Sequence, residues 1–169
     1  MTDTYRKTDL ALKLYESTQN LIKFADTKIN LLSFVNGIAT SFVITNFQQL
    51  YTISLFSKVI LGMYFITFIS FVYYLLNTIL PRSNNSSEVI GHQLVFFGHV
   101  SKRSNAKDFI EDFNNTTSEE FLDDLLQQFY ESSKIAATKF ANYRKGLYTL
   151  QIQILLFFIL LGMKSFFDN

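Results

Sequence analysis

The sequence of 169 residues contains no cysteine, no tryptophan, one proline and two histidines. Without cysteine the chain forms no disulfide, has no thiolate metal site and offers no cysteine nucleophile. A net charge of +1 argues against nucleic acid as the main partner, because proteins that bind phosphate backbones usually carry a large positive excess. The first residues open a polar helix rather than a basic segment followed by an apolar run, so we expect no cleaved signal peptide.

Charged residues are absent from three long segments, although they make up 17% of the chain. A helix that crosses the hydrocarbon core of a bilayer needs about 20 mostly apolar residues, and each of these segments comes close to that length. We therefore predict an all-α membrane protein with three transmembrane helices, at residues 29–47, 59–80 and 147–166. Cytoplasmic helices extend these spans, and a small cytoplasmic segment lies between the second and third. The third span begins with two polar interruptions, Gln151 and Gln153, which cost less near an interface than at the midplane.

The distribution of lysine and arginine predicts which side of the membrane each connection occupies. Residues 1–28 carry five of these side chains and residues 81–146 carry eight, whereas residues 48–58 and the tail after residue 163 carry one each. Because basic residues accumulate on the cytoplasmic side, we place both basic stretches in the cytoplasm. It follows that residues 48–58 form a periplasmic loop and that the C-terminus is periplasmic.

Residues 1–28 are predicted to form one amphipathic helix that continues into the first span. Apolar residues recur near helical spacing on one of its faces, namely Leu10, Leu14, Leu21 and Ile22.

Residues 81–146 begin with a turn-rich loop and are expected to be mainly helical after it. Residues 93–100 form an apolar run that is too short to span a membrane, and we predict a short strand or a buried extended segment there. A short helix follows at residues 105–113. Thr117 and Glu120 then match a capping box, which places the start of the last helix near residue 118 and its end near residue 166.

Polar and small residues of the first span fall on one side of the helix. They are Ser33, Asn36, Gly37, Thr40 and Ser41. Small residues spaced four apart let two helices approach closely, and in hydrocarbon a polar face must meet another helix or water. Two interpretations stay open: helix packing within a bundle, or the lining of a polar conduit. The expected partner is a similar stripe on the second span, formed by Thr67, Ser70, Tyr74 and Asn77.

The sequence contains no recognisable catalytic or metal-binding constellation. The two histidines, His92 and His99, have no companion ligands that we can place for a zinc site. The acidic residues at 108–112 and 123–124 fit a solvated helix face better than a catalytic pair. There is also no glycine-rich phosphate loop and no nucleophile motif. We therefore expect neither an enzyme nor a bound metal or cofactor.

Basic residues collect where the spans are expected to meet the cytoplasm. They are Lys28, Arg82, Lys134, Lys139, Arg144 and Lys145. Anchoring against anionic lipid headgroups explains most of them. Alternatively, some of them converge on a phosphate-bearing ligand, and Phe96, Phe97 or Tyr143 stacks on its base.

Several of these residues stand in a recognisable order. The elements are the run A-D-T-K-I-N-L-L-S-F-V-N-G at residues 25–37, the pair Pro81-Arg82, the residues Phe96 to His99, and Lys134 with Lys139. From Leu10 to Leu161 the chain resembles the membrane-spanning effectors of the cyclic-pyrimidine antiphage systems called Pycsar. The resemblance implies a multi-pass protein of the bacterial inner membrane that senses cyclic CMP or cyclic UMP. A partner pyrimidine cyclase would make this ligand upon phage infection, and the effector would then impair the membrane and cause abortive infection.

The resemblance and the charge pattern together select candidate ligand-binding residues, which are Asp26, Lys28, Arg82, Phe97, His99 and Lys139. We expect Lys28 or Arg82 to bind the cyclic phosphate, with Asp26 orienting one of them. Phe97 and His99 are expected to contact the base. The alternative is a salt bridge between helices, in which Asp26 pairs with Arg82 or Lys28.

Three spans of one chain enclose no pore, so we expect membrane impairment to need a homo-oligomer in contact with membrane lipid. Two other classes of function remain open. The chain could be a non-signalling membrane scaffold whose cytoplasmic helices bind a protein partner. It could also be a constitutive holin-like pore that acts without any ligand.

Overall fold

A computed structural model describes residues 3–80, 94–95 and 97–167, without the side chains of Phe97 and His99. Helices account for 92% of the structure, and this part of the chain contains no strand. The six helices within it are α1 (Asp3–Thr45), α2 (Phe47–Ile53), α3 (Leu55–Ile79), α4 (Phe97–Val100), α5 (Ala106–Asn115) and α6 (Ser118–Phe167).

Among the described residues, three helices are long and apolar enough to cross a membrane: α1, α3 and α6. The shortest, α3, has 25 residues. At 1.5 Å per residue it extends about 37 Å, which exceeds the hydrocarbon thickness of about 30 Å. The predicted all-α architecture with three transmembrane helices is therefore confirmed.

The first span and the amphipathic helix before it form one continuous helix of 43 residues, as the sequence predicts. Helix α1 ends at Thr45, where the side-chain amide of Asn46 donates a hydrogen bond to the carbonyl of Phe42 at 2.8 Å. The predicted loop at residues 48–58 is largely helical. Helix α2 occupies its first part, and α3 begins at Leu55 rather than at residue 59.

Two capping boxes set where α3 and α6 begin. At α3, the N–H of Ser57 donates to Ser54 Oγ at 3.1 Å and the N–H of Ser54 donates to Ser57 Oγ at 3.3 Å. At α6, the N–H of Glu120 donates to Thr117 Oγ1 at 3.3 Å, and the N–H of Thr117 donates to the Glu120 carboxylate at 2.8 Å. These reciprocal bonds satisfy backbone donors that a helix start leaves free. The predicted start of the last helix is confirmed, and α6 continues through Gly146 for 50 residues in all.

The strand or extended segment predicted at residues 93–100 is wrong for Phe97–Val100, which form helix α4. Just before it, the backbone N–H groups of Leu94 and Val95 both donate to Asp124 Oδ2, at 2.7 and 3.0 Å. A carboxylate therefore satisfies two backbone donors that a neighbouring strand would otherwise satisfy. An apolar run by itself does not reveal such a partner, because Asp124 lies about thirty residues away along the chain.

The chain divides into two compact units. The first unit comprises Met1–Lys23 and Arg82–Ala137, and the span unit comprises Phe24–Pro81 and Thr138–Asn169. Within the first unit, Gln19 Nε2 donates to Ser132 Oγ at 3.0 Å, which joins α1 to α6. Within the span unit, residues of four helices form a buried apolar cluster: Val43, Leu50, Ile60, Leu61, Tyr64, Leu156 and Leu160.

Burial along α6 repeats every seven residues. The buried positions of this series are Leu125, Ser132, Lys139, Gly146, Gln153 and Leu160. On α1 a similar series contains Ile29, Asn36 and Val43. A seven-residue repeat is typical of helices that pack with a left-handed supercoil. Polar side chains occupy several of these inward positions, so they have to find partners on the facing helix.

Helices α1 and α6 run in the same direction through the span unit. Partners on α1 at residues 26, 36 and 46 bond to partners on α6 at residues 139, 153 and 164, respectively. Both sets of numbers rise together, which defines a parallel pair. A parallel pair is what three spans require, because the first and third spans cross the membrane in the same direction.

The apolar stripe of residues 1–28 is exposed at three of its four members: Leu10, Leu14 and Leu21. The buried residues of this stretch are smaller, and they include Ala11 and Thr18. Small side chains let two helix backbones approach each other, whereas the leucine stripe lies on a neighbouring face of the same helix. Hydrophobicity alone therefore does not show which stripe of this helix is buried.

Candidate functional site

The span unit joins two predicted site residues directly. Lys139 Nζ donates to Asp26 Oδ1 at 2.5 Å. The lysine is 9% exposed, and the aspartate side chain keeps 38% of its surface exposed. A salt bridge between helices was one of the two predicted roles for Asp26, but its partner among the described residues is Lys139 rather than Lys28. The parallel register of α1 and α6 brings together these residues, which lie 113 positions apart.

Aromatic residues lie close to both members of this ion pair in the sequence. The rings of Phe24 and Phe140 stack with centroids 6.5 Å apart, and Phe140 contacts Tyr143 edge to face at 6.5 Å. Lys28 Nζ lies 5.1 Å from the centroid of Phe24. A cation over a ring at this distance is stabilised by about 0.5–1 kcal/mol at an exposed site. We call the set Phe24, Asp26, Lys28, Lys139, Phe140 and Tyr143 the basic-aromatic cluster.

The side chains of the remaining predicted ligand residues lie outside the described part of the structure. Arg82 lies outside the described residues, as do Phe96 and His92. Phe97 and His99 belong to α4, and their side chains are not among those described. The basic-aromatic cluster consequently contains Asp26, Lys28 and Lys139 from the predicted set, together with three rings.

Two of the other basic residues, Lys134 and Lys145, contact other side chains. Lys134 Nζ donates to Glu131 at 3.0 Å on the same helix, and this hydrogen bond raises the pKa of Lys134. Lys145 Nζ lies 5.9 Å from the ring centroid of Tyr74. Both side chains are exposed, so each keeps access to water or to lipid headgroups.

The first unit contains a buried cation that the sequence did not single out. Arg103 has a side chain that is only 6% exposed, and its Nε donates to Asp112 Oδ2 at 2.9 Å. Its guanidinium lies 5.2 Å from the ring centroid of Phe109. Asn105 caps α5 by accepting from the N–H of Asp108 at 3.0 Å. The acidic residues of this stretch therefore anchor α5 and the turn before it, which is a structural role.

The polar stripe predicted on the first span divides into an inward and an outward part. Asn36 and Thr40 are buried among the other spans, whereas Gly37 and Ser41 are exposed. Ser33 is partly buried and donates to the carbonyl of Ile29 on its own helix at 2.7 Å. Packing within one bundle therefore explains two of the five residues. Gly37, one of the outward residues, has open space beside it, since a Cβ added there would meet no atom within 4 Å.

The inward residues bond to partners other than the predicted stripe on the second span. Thr40 shares a hydrogen bond with the hydroxyl of Tyr64 at 3.0 Å, and Asn36 Oδ1 accepts from Gln153 Nε2 at 2.8 Å. The predicted partner Thr67 instead bonds to backbone carbonyls of α3. Gln153 is 8 residues beyond Lys145 and 11 before Lys164, and it is only 1% exposed within the bundle.

Lysine and asparagine form a further contact at the opposite end of the α1–α6 pair. Lys164 Nζ donates to Asn46 Oδ1 at 2.6 Å and lies 5.7 Å from the ring centroid of Phe42. Lys58 Nζ lies 4.5 Å from the ring centroid of Tyr51. Cations with aromatic neighbours are typical of the membrane interface, which agrees with the ends predicted for the spans.

Comparison with protein-family models identifies the chain. The model of the Pycsar effector protein domain (PycTM) matches residues 10–164. The chain belongs to the Pycsar effector family. The match includes all three spans and the whole basic-aromatic cluster, so the resemblance expected from residues 25–37 and the later elements is confirmed. Comparisons with curated proteins and with solved structures give no match.

Family membership and the three apolar helices together establish a membrane protein of an antiphage system. Within the described residues, no group of three His, Asp or Glu side chains is arranged to hold a metal ion. What the Pycsar effector domain offers chemically is a paired cation and carboxylate, a second cation over a ring, and stacked aromatic side chains.

Proposed function

We propose that this Pycsar effector binds cyclic CMP or cyclic UMP on its cytoplasmic side and then impairs the bacterial inner membrane, which causes abortive infection. The supporting observation is the basic-aromatic cluster. A cyclic mononucleotide presents one phosphate anion and one flat base, and the cluster offers two lysines and three rings in one small region. Its ligand would come from a partner pyrimidine cyclase, and we propose no catalytic activity for the effector itself.

In this proposal Lys139 changes its partner when the ligand binds. In the structure Lys139 is bonded to Asp26, so a ligand phosphate would have to replace the carboxylate or share the ammonium with it. Lys28 would supply the second charge, and Phe24 or Phe140 would stack on the base. Arg82, Phe97 and His99 stay proposed contributors from the segment between the second and third spans.

The charge distribution supports the proposed orientation, in which the N-terminus and residues 81–146 are cytoplasmic and the C-terminus is periplasmic. The basic-aromatic cluster would then face the compartment in which a cyclase produces its product. One chain has too few spans to enclose a channel, so we propose that a homo-oligomer in the lipid bilayer causes the damage. A ligand drives such a change only if it binds the active form more tightly than the resting form.

A binding experiment tests this proposal directly. Protein purified in detergent is heated with cyclic CMP, cyclic UMP, cyclic AMP or cyclic GMP, and its Tm is measured. A ligand that binds only the folded form stabilises it by about 2.7 kcal/mol at 100 times its Kd. We expect one cyclic pyrimidine to raise the Tm and the purines to leave it unchanged.

A matched pair of lysine variants then locates the site. Lys139→Gln is expected to abolish the ligand-induced shift, whereas Lys134→Gln, which removes an exposed lysine of the same helix, is expected to retain it. A shift that survives Lys139→Gln would place the ligand elsewhere. A flat response of the folded wild-type protein to all four nucleotides would favour a scaffold, or a constitutive pore if expression without the cyclase collapses the membrane potential.

A further inference from the structure

We infer that Asn36, Thr40, Tyr64 and Gln153 form an intramembrane site for water, which becomes hydrated when the effector is activated and so starts the membrane leak. We call these four side chains the inner polar cluster. The inference rests on the proposed membrane impairment by a homo-oligomer and adds to it the residues of each subunit at which water first enters. None of the four was selected as a ligand contact, and Gln153 and Tyr64 belong to no candidate site predicted from the sequence.

The inner polar cluster joins all three spans. Each of its side chains is at most 6% exposed, although they lie in segments that otherwise are strongly apolar. Thr40 Oγ1 bonds to Asn36 Oδ1 at 3.1 Å and to the hydroxyl of Tyr64 at 3.0 Å. Gln153 Nε2 donates to Asn36 Oδ1 at 2.8 Å. Polar groups at this depth are expensive, and in membrane proteins they commonly mark the route of water or ions.

Hydrogen bonding inside the cluster is incomplete. Asn36 Oδ1 accepts bonds from both Gln153 and Thr40, whereas the Gln153 carbonyl oxygen is buried and accepts none in the described structure. An amide oxygen without a donor is costly in a medium that contains no water. Water supplies the missing donor. A rearrangement that admits water therefore offers the Gln153 carbonyl a hydrogen bond that no described side chain supplies, which lowers the free-energy cost of opening at this place.

The outward small residues do not share this property. Gly37 and Ser41 face away from the bundle, and Ser33 already bonds to its own helix. Contact with lipid or with another copy accounts for them without any hydration. We thus expect activation to hydrate the inward residues of α1 and not the outward ones.

Gln153→Glu tests the inference without any ligand. A carboxylate in place of the amide attracts water strongly, because an ionised group in a dry interior is very unfavourable. In cells that lack the cyclase, we expect Gln153→Glu to collapse the membrane potential and Gln151→Glu, at an exposed position two residues earlier, to leave it intact. Membrane insertion and Tm are measured for both variants. A folded, inserted Gln153→Glu protein that leaves the potential unchanged would overturn the inference.

Labelling of single cysteines provides a second test, which the absence of native cysteine makes straightforward. Thr40→Cys and the adjacent Ser41→Cys are exposed to a membrane-impermeant, charged thiol reagent before and after addition of the activating cyclic pyrimidine. Reaction requires water at the sulfur, since the thiolate is the reactive form. We expect activation to increase the labelling rate of Thr40→Cys about tenfold or more, with little change at Ser41→Cys. The reverse pattern would assign the path to the outward small residues.

The two proposals fail in different ways. If no cyclic pyrimidine depolarises cells that carry the wild-type protein, the proposed function is wrong, and the result with Gln153→Glu alone decides the inference. If the ligand depolarises the cells while Gln153→Glu is silent and Thr40→Cys stays unlabelled, the proposed function stands and the inference is wrong.

Discussion

The two units of this chain pair their polar side chains in different ways. In the span unit the pairs connect different helices and are largely buried, as in Lys139 with Asp26 and Gln153 with Asn36. In the first unit three exposed ion pairs each join two residues of the same helix. They are Lys7 with Asp3 and Lys13 with Asp9 in α1, and Lys134 with Glu131 in α6, at N–O distances of 2.6, 2.7 and 3.0 Å, respectively. The first unit also has polar contacts between different segments: Asp124 accepts from the backbone of Leu94, and Arg103 pairs with Asp112.

The difference follows from the surroundings. An exposed ion pair gains little, because water solvates both charges whether or not they meet. A polar group inside the spans has no water to bond with, so its helix partner is obligatory and determines which residues face each other. Stability and register should therefore depend on the pairs between helices much more than on those within a helix. The predictions below test that contrast.

The largest effect is expected for the ion pair of α1 and α6. Lys139→Met leaves the Asp26 carboxylate without its partner. Removal of one member of a buried pair costs about 3–5 kcal/mol, and the partial exposure of Asp26 reduces this to about 1–3 kcal/mol. Thermal unfolding in detergent measures the change. Lys134→Met, which removes an exposed lysine from the same helix, should barely alter the Tm, and equal losses in the two variants would contradict the contrast.

The next effect concerns Asp124, whose contact in the first unit joins different segments of the chain. Asp124→Ala removes the acceptor of two backbone N–H groups, those of Leu94 and Val95. Leaving buried donors unsatisfied costs about 1–3 kcal/mol, and because these two bonds are only partly buried we expect about 1 kcal/mol. We expect a lower Tm and faster proteolysis in residues 94–100, with Asp123→Ala as the control at the neighbouring exposed position. Unchanged proteolysis of Asp124→Ala would show that this carboxylate does not hold the segment.

A smaller effect of opposite sign is expected at Gly146. A Cβ added there would meet Tyr74 Cβ at 3.5 Å and Ile29 Cδ1 at 3.6 Å, which are ordinary van der Waals contacts. Gly146→Ala should consequently stabilise α6 by about 0.5–1 kcal/mol through its higher helix propensity. Gly162→Ala, at a position with open space around it, gives the reference for propensity alone. A lower Tm for Gly146→Ala would indicate that the helices need a closer approach at this point.

The smallest effect is expected at the exposed start of α6. Hydrogen bonds from Thr117, chiefly from its backbone N–H, lower the pKa of Glu120. A carboxyl with a lowered pKa in the folded state contributes stability above its unfolded pKa of about 4.3, and this contribution is lost as the pH falls through the folded value. Glu120→Gln should therefore lower the Tm slightly near neutral pH, and this difference should shrink as the pH falls below the unfolded pKa. Glu119→Gln changes the same charge without removing this cap, and a similar pH-dependent loss in both variants would refute the role of the cap.

Much of the architecture could be predicted from local patterns. Charge-free segments of about 20 residues specify membrane spans, and a Thr and a Glu three positions apart specify where α6 begins, because both signals depend on neighbours in the chain. The motif at residues 25–37 and the later elements, in their order and spacing, likewise suggested the family that the comparison shows. Asp26, Lys28 and Lys139 were selected by the same kind of reasoning.

Partners across the chain could not be predicted in this way. The sequence pattern suggested Lys28 or Arg82 for Asp26. Among the described residues, which do not include Arg82, the contact is with Lys139, since the register of two parallel helices decides which side chains meet. The same cause moved Gln153 from an expected interface position into the inner polar cluster and exposed the leucine stripe of residues 10–21.

The sequence by itself thus determined the number of spans and the start of α6, because burial of an apolar segment in lipid and the capping of a helix are local matters. The tertiary structure alone decided which face of each helix is buried and which polar groups share a hydrogen bond. Those choices depend on side-chain size and on distances between residues more than a hundred positions apart, where hydrophobicity is nearly the same for every alternative.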